Sequence, residues 1–298
     1  MPANLQRGIN QFILGKSSEG CCHGVTFASL KFSTAAGFLR RKMSKQVSVF
    51  ILAYNSEDRI ERAVKSVLWA DEVVVVDSFS EDRTAEIAEE LGAKVAQVKF
   101  EGFGKLRLAG IEHTSHDWIF SLDSDEECTP EAEKEIREII NSENPAEAYH
   151  TPRRNFFMGQ PVRFSGWYPD YRQPQLFQRG KMTYPAEELV HEGYRLDGRL
   201  GYMKYDIFQE PFMTISEIIN KCNRYTSLGA EELAEKGRSG GVFIGVIHGG
   251  AHFVQIYFFK LGIFDGGGGL MISICKGLGS FLKYAKLGEI NRKAAATS

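Results

Sequence analysis

Four carboxylates crowd into five positions at the end of the run Ile119-Phe120-Ser121-Leu122-Asp123-Ser124-Asp125-Glu126-Glu127. Anions this close repel one another unless a cation sits among them. Hard oxygen donors suit Mg2+ or Mn2+, which bind through one or two carboxylates and the phosphates of a substrate. The plain alternative is an acidic strand-to-helix turn, with Thr129 and Pro130 opening the next helix. A second chemistry-bearing stretch, Glu187-Glu188-Leu189-Val190-His191-Glu192-Gly193, sets carboxylates around a histidine. Those are side chains from which a general base is drawn. A structural histidine among solvated glutamates is the competing reading.

The elements before the acidic run decide what it serves. Val47-Ser-Val-Phe-Ile-Leu-Ala53 and Glu72-Val-Val-Val-Val-Asp77 are nearly unbroken apolar runs of strand length, the pattern of strands buried on both faces. A more polar strand is expected over 93–98 and a fourth over 118–122. Helical spacing appears between them: Ile60, Val64, Val67 and Leu68; then Ile87, Ala88 and Leu91, stopped by Gly92; then residues 105–113. Asn55 or Ser56 can cap the first of these helices. This alternation predicts an α/β fold with a doubly wound, mostly parallel sheet, whose ligands bind beyond the carboxyl ends of the strands. Tyr54 and Asn55, Asp77 and Ser78, and Asp123 and Asp125 stand at three such ends. No Gly-x-Gly-x-x-Gly and no phosphate-loop Gly-Lys-Ser/Thr follows the first strand, so carboxylates and a metal are expected to hold the nucleotide.

Three stretches together, Val47-Ser-Val-Phe-Ile-Leu-Ala-Tyr-Asn55, Val73-Val-Val-Val-Asp-Ser-Phe-Ser-Glu-Asp-Arg-Thr84 and Trp118-Ile-Phe-Ser-Leu-Asp-Ser-Asp-Glu-Glu127, resemble the family-2 glycosyltransferases of GT-A fold. Within that family the likeness is to the lipopolysaccharide-core β-glucosyltransferase group, and it runs from about Val47 to the C-terminus. The resemblance implies an inverting transferase using a nucleotide-activated sugar, usually a UDP-sugar. It implies that Ala53 and Tyr54 wall the base, Asp77 accepts from its ring N–H, Asp123 holds the ribose and Asp125 the metal on the diphosphate. Lys105 and Arg107 lie where the family places basic residues near the nucleotide; a solvated helix face is their alternative. Val190-His191-Glu192 marks the same subgroup. It makes Glu192 the expected base, with His191 orienting it or touching a phosphate, and Glu188 and Glu187 as fallbacks. Where the family commonly has Arg this chain has Gln175, and Arg172 is the substitute for a phosphate contact there.

The second half changes character. After an amphipathic helix over 131–140, residues 149–195 are rich in aromatic and basic side chains, read as an aromatic-rich β insertion. A helical region follows: 215–234 is amphipathic, and Val242–Phe259 is eighteen residues without a formal charge. Apolar surface interleaved with lysines fits helices lying in a bilayer interface, where an acceptor lipid is presented; a helical lid buried on the sheet is the rival. His248 and His252 have helical metal spacing without a partnering Glu motif, so no zinc site is expected.

The 298 residues carry a net charge of −2, so no global charge draws the chain to nucleic acid. Five cysteines without Cys-x-x-Cys spacing fit a reducing compartment. Residues 1–42 hold one acidic residue, Glu19, against several Lys and Arg. They read as an extension, disordered or not native, with Met43 as the natural start. The expected organisation is therefore this extension, a nucleotide-sugar and catalytic domain over 43–210, and a helical, membrane-associated region over 211–298. The expected partners are a nucleotide-sugar donor, a glycolipid or envelope glycan acceptor and the inner face of the cell membrane, with Mg2+ or Mn2+ as cofactor. Two other readings are weighed against this transferase. One is a sugar-nucleotide nucleotidyltransferase, which needs a glycine-rich basic loop where Tyr54-Asn55-Ser56 stands. The other is a non-catalytic sugar-nucleotide-binding protein.

Overall fold

Strand β1 (Val47–Ala53) lies at the centre of a sheet, and all seven of its residues are buried because helices cover both faces. The computed structural model describes residues 44–185 and 193–297, within the unit Met43–Ser298. The expectations for residues 1–42, for Met43 and for Glu187, Glu188, His191 and Glu192 lie outside the described residues.

From β1 the chain runs through α1 (Ile60–Lys65), β2 (Glu72–Asp77), α2 (Thr84–Glu90), β3 (Lys94–Gln97), α3 (Phe103–His113) and β4 (Trp118–Asp123). β1 pairs in parallel with β2 on one side and β4 on the other, and β2 pairs in parallel with β3. The acidic loop crosses the short strand β5 (Glu126–Cys128) into α4 (Pro130–Asn141), which Thr129 caps by accepting from the Ala132 N–H at 3.2 Å. Short strands follow: β6 (Ala148–His150), β7 (Arg153–Phe157), β8 (Gln160–Pro161), β9 (Pro174–Gln178), β10 (Met182–Thr183), β11 (Arg195–Leu196), β12 (Leu200–Tyr202) and β13 (Ile207–Gln209).

The main sheet has the order β12-β6-β9-β4-β1-β2-β3, with β9 antiparallel to both neighbours. A second sheet, β5-β13-β7-β8, stands beside it. The fold is thus mixed α/β with a mostly parallel central sheet, as the alternation of strands and helices predicts. Period-2 alternation divides its core. Val47, Val49, Ile51 and Ala53 of β1 pack with α1, α2 and the Ala132, Ile136, Ile140 stripe of α4. Phe50 and Leu52 pack on the opposite face with Leu106 of α3 and with Phe177, Met182 and Tyr184.

The last helices are α5 (Ile215–Glu235), α6 (Val242–Val254), continued by a π turn over Gln255–Phe259, and α7 (Gly266–Thr297). Here the apolar run departs from a buried lid: only 11% of Val242–Phe259 is buried. α6 packs along α7 instead, and Gly249 and Gly277 make the close crossing. A methyl group on either would stand 2.9 Å from the other's carbonyl oxygen. A small core of Phe157, Val162, Ile218, Ile256 and Ile272 joins these helices to the β7–β8 hairpin. His248 stacks on Tyr284 and His252 bonds Ser280 Oγ, so each histidine has its own partner on α7.

Candidate active site

Register brings the strand ends together. Ala53 pairs with Asp77 and Leu52 with Asp123, so the polar residues beyond β1, β2 and β4 come to one edge of the sheet. The Ser124 N–H donates to the Leu52 carbonyl at 3.0 Å, and Ser56 Oγ and Ser124 Oγ are 2.9 Å apart, which ties the loops into one floor. Above it opens a cleft of about 1140 Å3.

Ala53, Tyr54, Asp123 and Asp125 line this cleft. Tyr54 is exposed, with its ring free to meet a ligand. Asp123 accepts from Arg107 Nη2 at 3.1 Å, and Arg107, which is buried, also donates to Ser121 Oγ at 3.0 Å. Arg107 therefore stands behind Asp123 and orients it from below rather than facing the cleft. Lys105 pairs with Glu101 at 2.8 Å on the exposed face of α3 and does not line the cleft. Its solvated-face alternative describes what the structure places there.

Asp77 is fully buried. Its carboxylate accepts from the Ser80 N–H at 2.9 Å and from Ser80 Oγ, a turn that carries Ser78 and Phe79 into the cleft wall. Asn55 and Ser56 do not cap α1. Asn55 Oδ1 accepts from the Glu81 N–H at 2.8 Å and Ser80 Oγ receives the Asn55 N–H at 2.8 Å, which couples the β1 and β2 loops. Asn55 and Phe79 both hold positive φ, 44° and 57°. The sequence reading missed Phe79, Phe100 and Phe103, which line the same end; Phe100 and Phe103 meet edge to face at 5.2 Å. Three phenylalanines scattered over two loops and a helix start carry no periodic signal.

The acidic run divides by depth. Asp125 is half-buried at the cleft, and crowding by protein followed by the neighbouring Asp123 charge raises its pKa, while Lys221 and Arg59 act the other way. Gln209 Nε2 approaches its oxygens at 3.4 and 3.5 Å, and Gln209 Oε1 is buried with no hydrogen-bond partner. Glu126 instead turns inward and is buried. It accepts from Arg153 Nε at 2.5 Å, Gln175 Nε2 at 3.0 Å and the Asp123 N–H at 3.0 Å, and burial lifts its pKa to about 7 against the pull of Arg153. Gln175 therefore serves this buried carboxylate. Arg172 is in the cleft wall, paired with Asp170 at 2.8 Å. Glu127 reaches Arg62 at 3.4 Å.

Asp125, whose pKa is raised by burial and by the neighbouring Asp123 charge, stands with Asp123 beside an unmatched amide oxygen, a hard-oxygen donor set that fits Mg2+ or Mn2+. Among the described residues no three acidic, histidine or cysteine side chains converge as a closed cage. An ion here would complete its shell with water and substrate oxygens, as Mg2+ does.

Residues 48–190 match the family model for glycosyl transferase family 2. The chain is 28% identical over 262 residues to an uncharacterized glycosyltransferase of Rickettsia typhi, covering 84% of this chain and 89% of that one. It is 24% identical to the lipopolysaccharide core biosynthesis glycosyltransferase LpsC of Rhizobium meliloti, covering 71% and 80%. Among solved structures it is similar to S. aureus TarS 1-349 in complex with UDP, at 17% identity and TM-score 0.45, covering 84% and 92%. The chain carries a glycosyltransferase family 2 domain, and the resemblance drawn from its three strand-end motifs holds. Its similar proteins are glycosyltransferases, one of them named for lipopolysaccharide core biosynthesis.

Proposed function

We propose that this protein is an inverting, divalent-metal-dependent hexosyltransferase. It moves a sugar from a UDP-sugar to a lipid-linked or cell-envelope glycan, such as lipopolysaccharide core, at the inner face of the cell membrane. The observation that carries this reading is the convergence of Ala53, Tyr54, Asp123 and Asp125 on one large cleft.

In this reading the uracil lies against Ala53 and Tyr54, with Phe79, Phe100 and Phe103 closing the same end and Asp77 beneath. Asp123, held by Arg107, takes the ribose hydroxyls. Asp125 would hold Mg2+ or Mn2+, and such an ion would supply positive charge against which the diphosphate leaves. The acceptor hydroxyl attacks the anomeric carbon from the face opposite the diphosphate and loses its proton to a general base. Glu192 is assigned as that base with His191 beside it, and Glu188 and Glu187 follow as alternatives. Both assignments rest on the Val-His-Glu motif.

The membrane placement draws on the helical region. Phe243, Phe259 and Phe264 are 77%, 79% and 70% exposed. Burying such a side chain is worth about 1.5–3 kcal/mol, which a bilayer interface supplies and water does not. A thermal-shift screen of nucleotide-sugars, with and without Mn2+, tests the proposal. A metal-dependent rise in melting temperature with UDP-sugars is expected, and no response to any nucleotide would defeat it.

A further inference from the structure

The donor does not account for the charge of the cleft. Among its described lining residues are six cations, Arg59, Lys99, Arg172, Lys221, Arg224 and Lys276, against three carboxylates, Asp123, Asp125 and Asp170. A nucleotide-diphosphate sugar and one divalent ion cancel in formal charge, so a loaded donor leaves this positive excess in place. Cations gathered in a cleft with low-dielectric walls focus a field that raises the local concentration of anions.

The excess is not spread evenly. Arg59 is committed to Asp58 and Glu217 at 2.9 and 3.2 Å. Lys99 stands beside the phenylalanines of the base end. Lys221, Arg224 and Lys276 come instead from the helical region, the first two on α5 and the third on α7, and Arg172 reaches them from the loop before β9. Lys276 is crowded by surrounding protein and then by the charges of Arg172 and Lys221, which lower its pKa, while Asp170 acts weakly in the opposite sense. Three elements thus bring like charges to one wall of the cleft, where Arg172 also keeps its pair with Asp170. The aromatic faces of Phe212 and Tyr225 lie near Lys221 and Arg224, at 5.0 and 5.4 Å.

We propose that Arg172, Arg224 and Lys276, with Lys221 between them and Asp125, form a second anion site beside the donor's diphosphate, which binds a phosphate or carboxylate carried by the acceptor near its reacting hydroxyl. The substrate class that follows is an anionic acceptor glycan, and this step rests on the nucleotide-sugar transferase reading above. Of the helices that carry the site, α7 packs along α6, which with the turn after it carries the apolar surface, so an amphipathic acceptor seats its anionic part in the cleft and its lipid outside.

Calorimetric titration of the full chain tests this, with inorganic phosphate as the probe after saturation with UDP and Mg2+. Phosphate is expected to bind the UDP-loaded protein at one site. The double variant Lys276→Ala, Arg224→Ala should weaken phosphate at least tenfold and UDP less than twofold. Lys276→Arg with Arg224→Lys, which keeps both charges, should stay within threefold of the parent for phosphate and so separates charge from folding. A parallel arm uses phosphatidylcholine vesicles with and without phosphatidic acid. If the alanine variant loses the phosphatidic-acid-dependent part of vesicle binding, the anion arrives as a lipid headgroup; if that part is unchanged while phosphate binding is lost, it belongs to the soluble glycan portion. Saturation with UDP abolishing phosphate binding would overturn the proposal, as would equal weakening of UDP and phosphate. If the parent protein fails to bind UDP, the donor reading falls on its own. The phosphate titration without UDP then decides the cluster: binding kept by the alanine variant overturns it, and binding lost upholds an anion site.

Discussion

Of the four carboxylates after β4, Glu126 leaves solvent altogether and becomes part of a buried network with Arg153, Gln175 and the Asp123 backbone. Its position next to Asp125 makes it look like a ligand, yet its geometry makes it the support that fixes the loop on which Asp123 and Asp125 stand. Removing one partner of such a pair leaves an unmatched charge, so Arg153→Met should destabilise by about 3–5 kcal/mol. A denaturant titration checks this, and a loss below about 1 kcal/mol would show that the pair is not holding the loop. Asp125→Asn should act on chemistry instead. It removes a charged ligand from the proposed ion site, and transfer should drop by about 100-fold or more while the Mn2+-dependent thermal shift disappears. Unaltered metal dependence in that variant would move the ion elsewhere. The division between support and ligand was not legible in Asp-Ser-Asp-Glu-Glu, because spacing does not say which side chains turn inward.

Among the elements, β1 and β2 are anchored at the end opposite the cleft by Glu72. Burial alone would raise its pKa, but bonds from Lys94 Nζ (2.6 Å), Ser48 Oγ (2.6 Å) and Ser115 N and Oγ (2.6 and 2.9 Å) outweigh that and hold it at about 2. A carboxylate depressed on folding contributes stability that is present above its unfolded pKa and lost as pH falls through its folded one. Between about 4.3 unfolded and about 2 folded, the contribution is on the order of 3 kcal/mol. Glu72→Gln should therefore lower stability at pH 7, and the gap from the parent should close between about pH 4.5 and pH 2. Parallel denaturation curves across that range would refute the assignment. The strands themselves were readable because both faces of β1 and β2 are covered, which leaves unbroken apolar runs. The loops were less so: Asn55 and Ser56 carry capping chemistry, but the β2 loop and Ser124 claimed their side chains.

For the whole molecule, the sheet and the C-terminal helices meet at the cleft, whose wall draws on β-strand ends, the Trp167–Arg172 region, α5 and α7. The apolar surface of α6 and the turn after it remains open to solvent on the far side of the α6–α7 contact. Replacing Phe243, Phe259 and Phe264 by Asp should abolish sedimentation with lipid vesicles and leave UDP affinity within about twofold. Undiminished vesicle binding would remove the membrane face from the proposal. The first four strands, their parallel sheet and the family resemblance were determined by sequence alone, because buried parallel strands write continuous apolar runs and the polar residues ending them sit at known positions. What faces the cleft was decided by the tertiary structure. Arg107 turns beneath Asp123, Lys105 out to Glu101, Gln175 in to Glu126, and Lys276 arrives from a distant helix to meet Arg172 and Lys221. Those outcomes depend on which charges can be satisfied in the interior. That is settled by partners far away in the chain, not by neighbours along it.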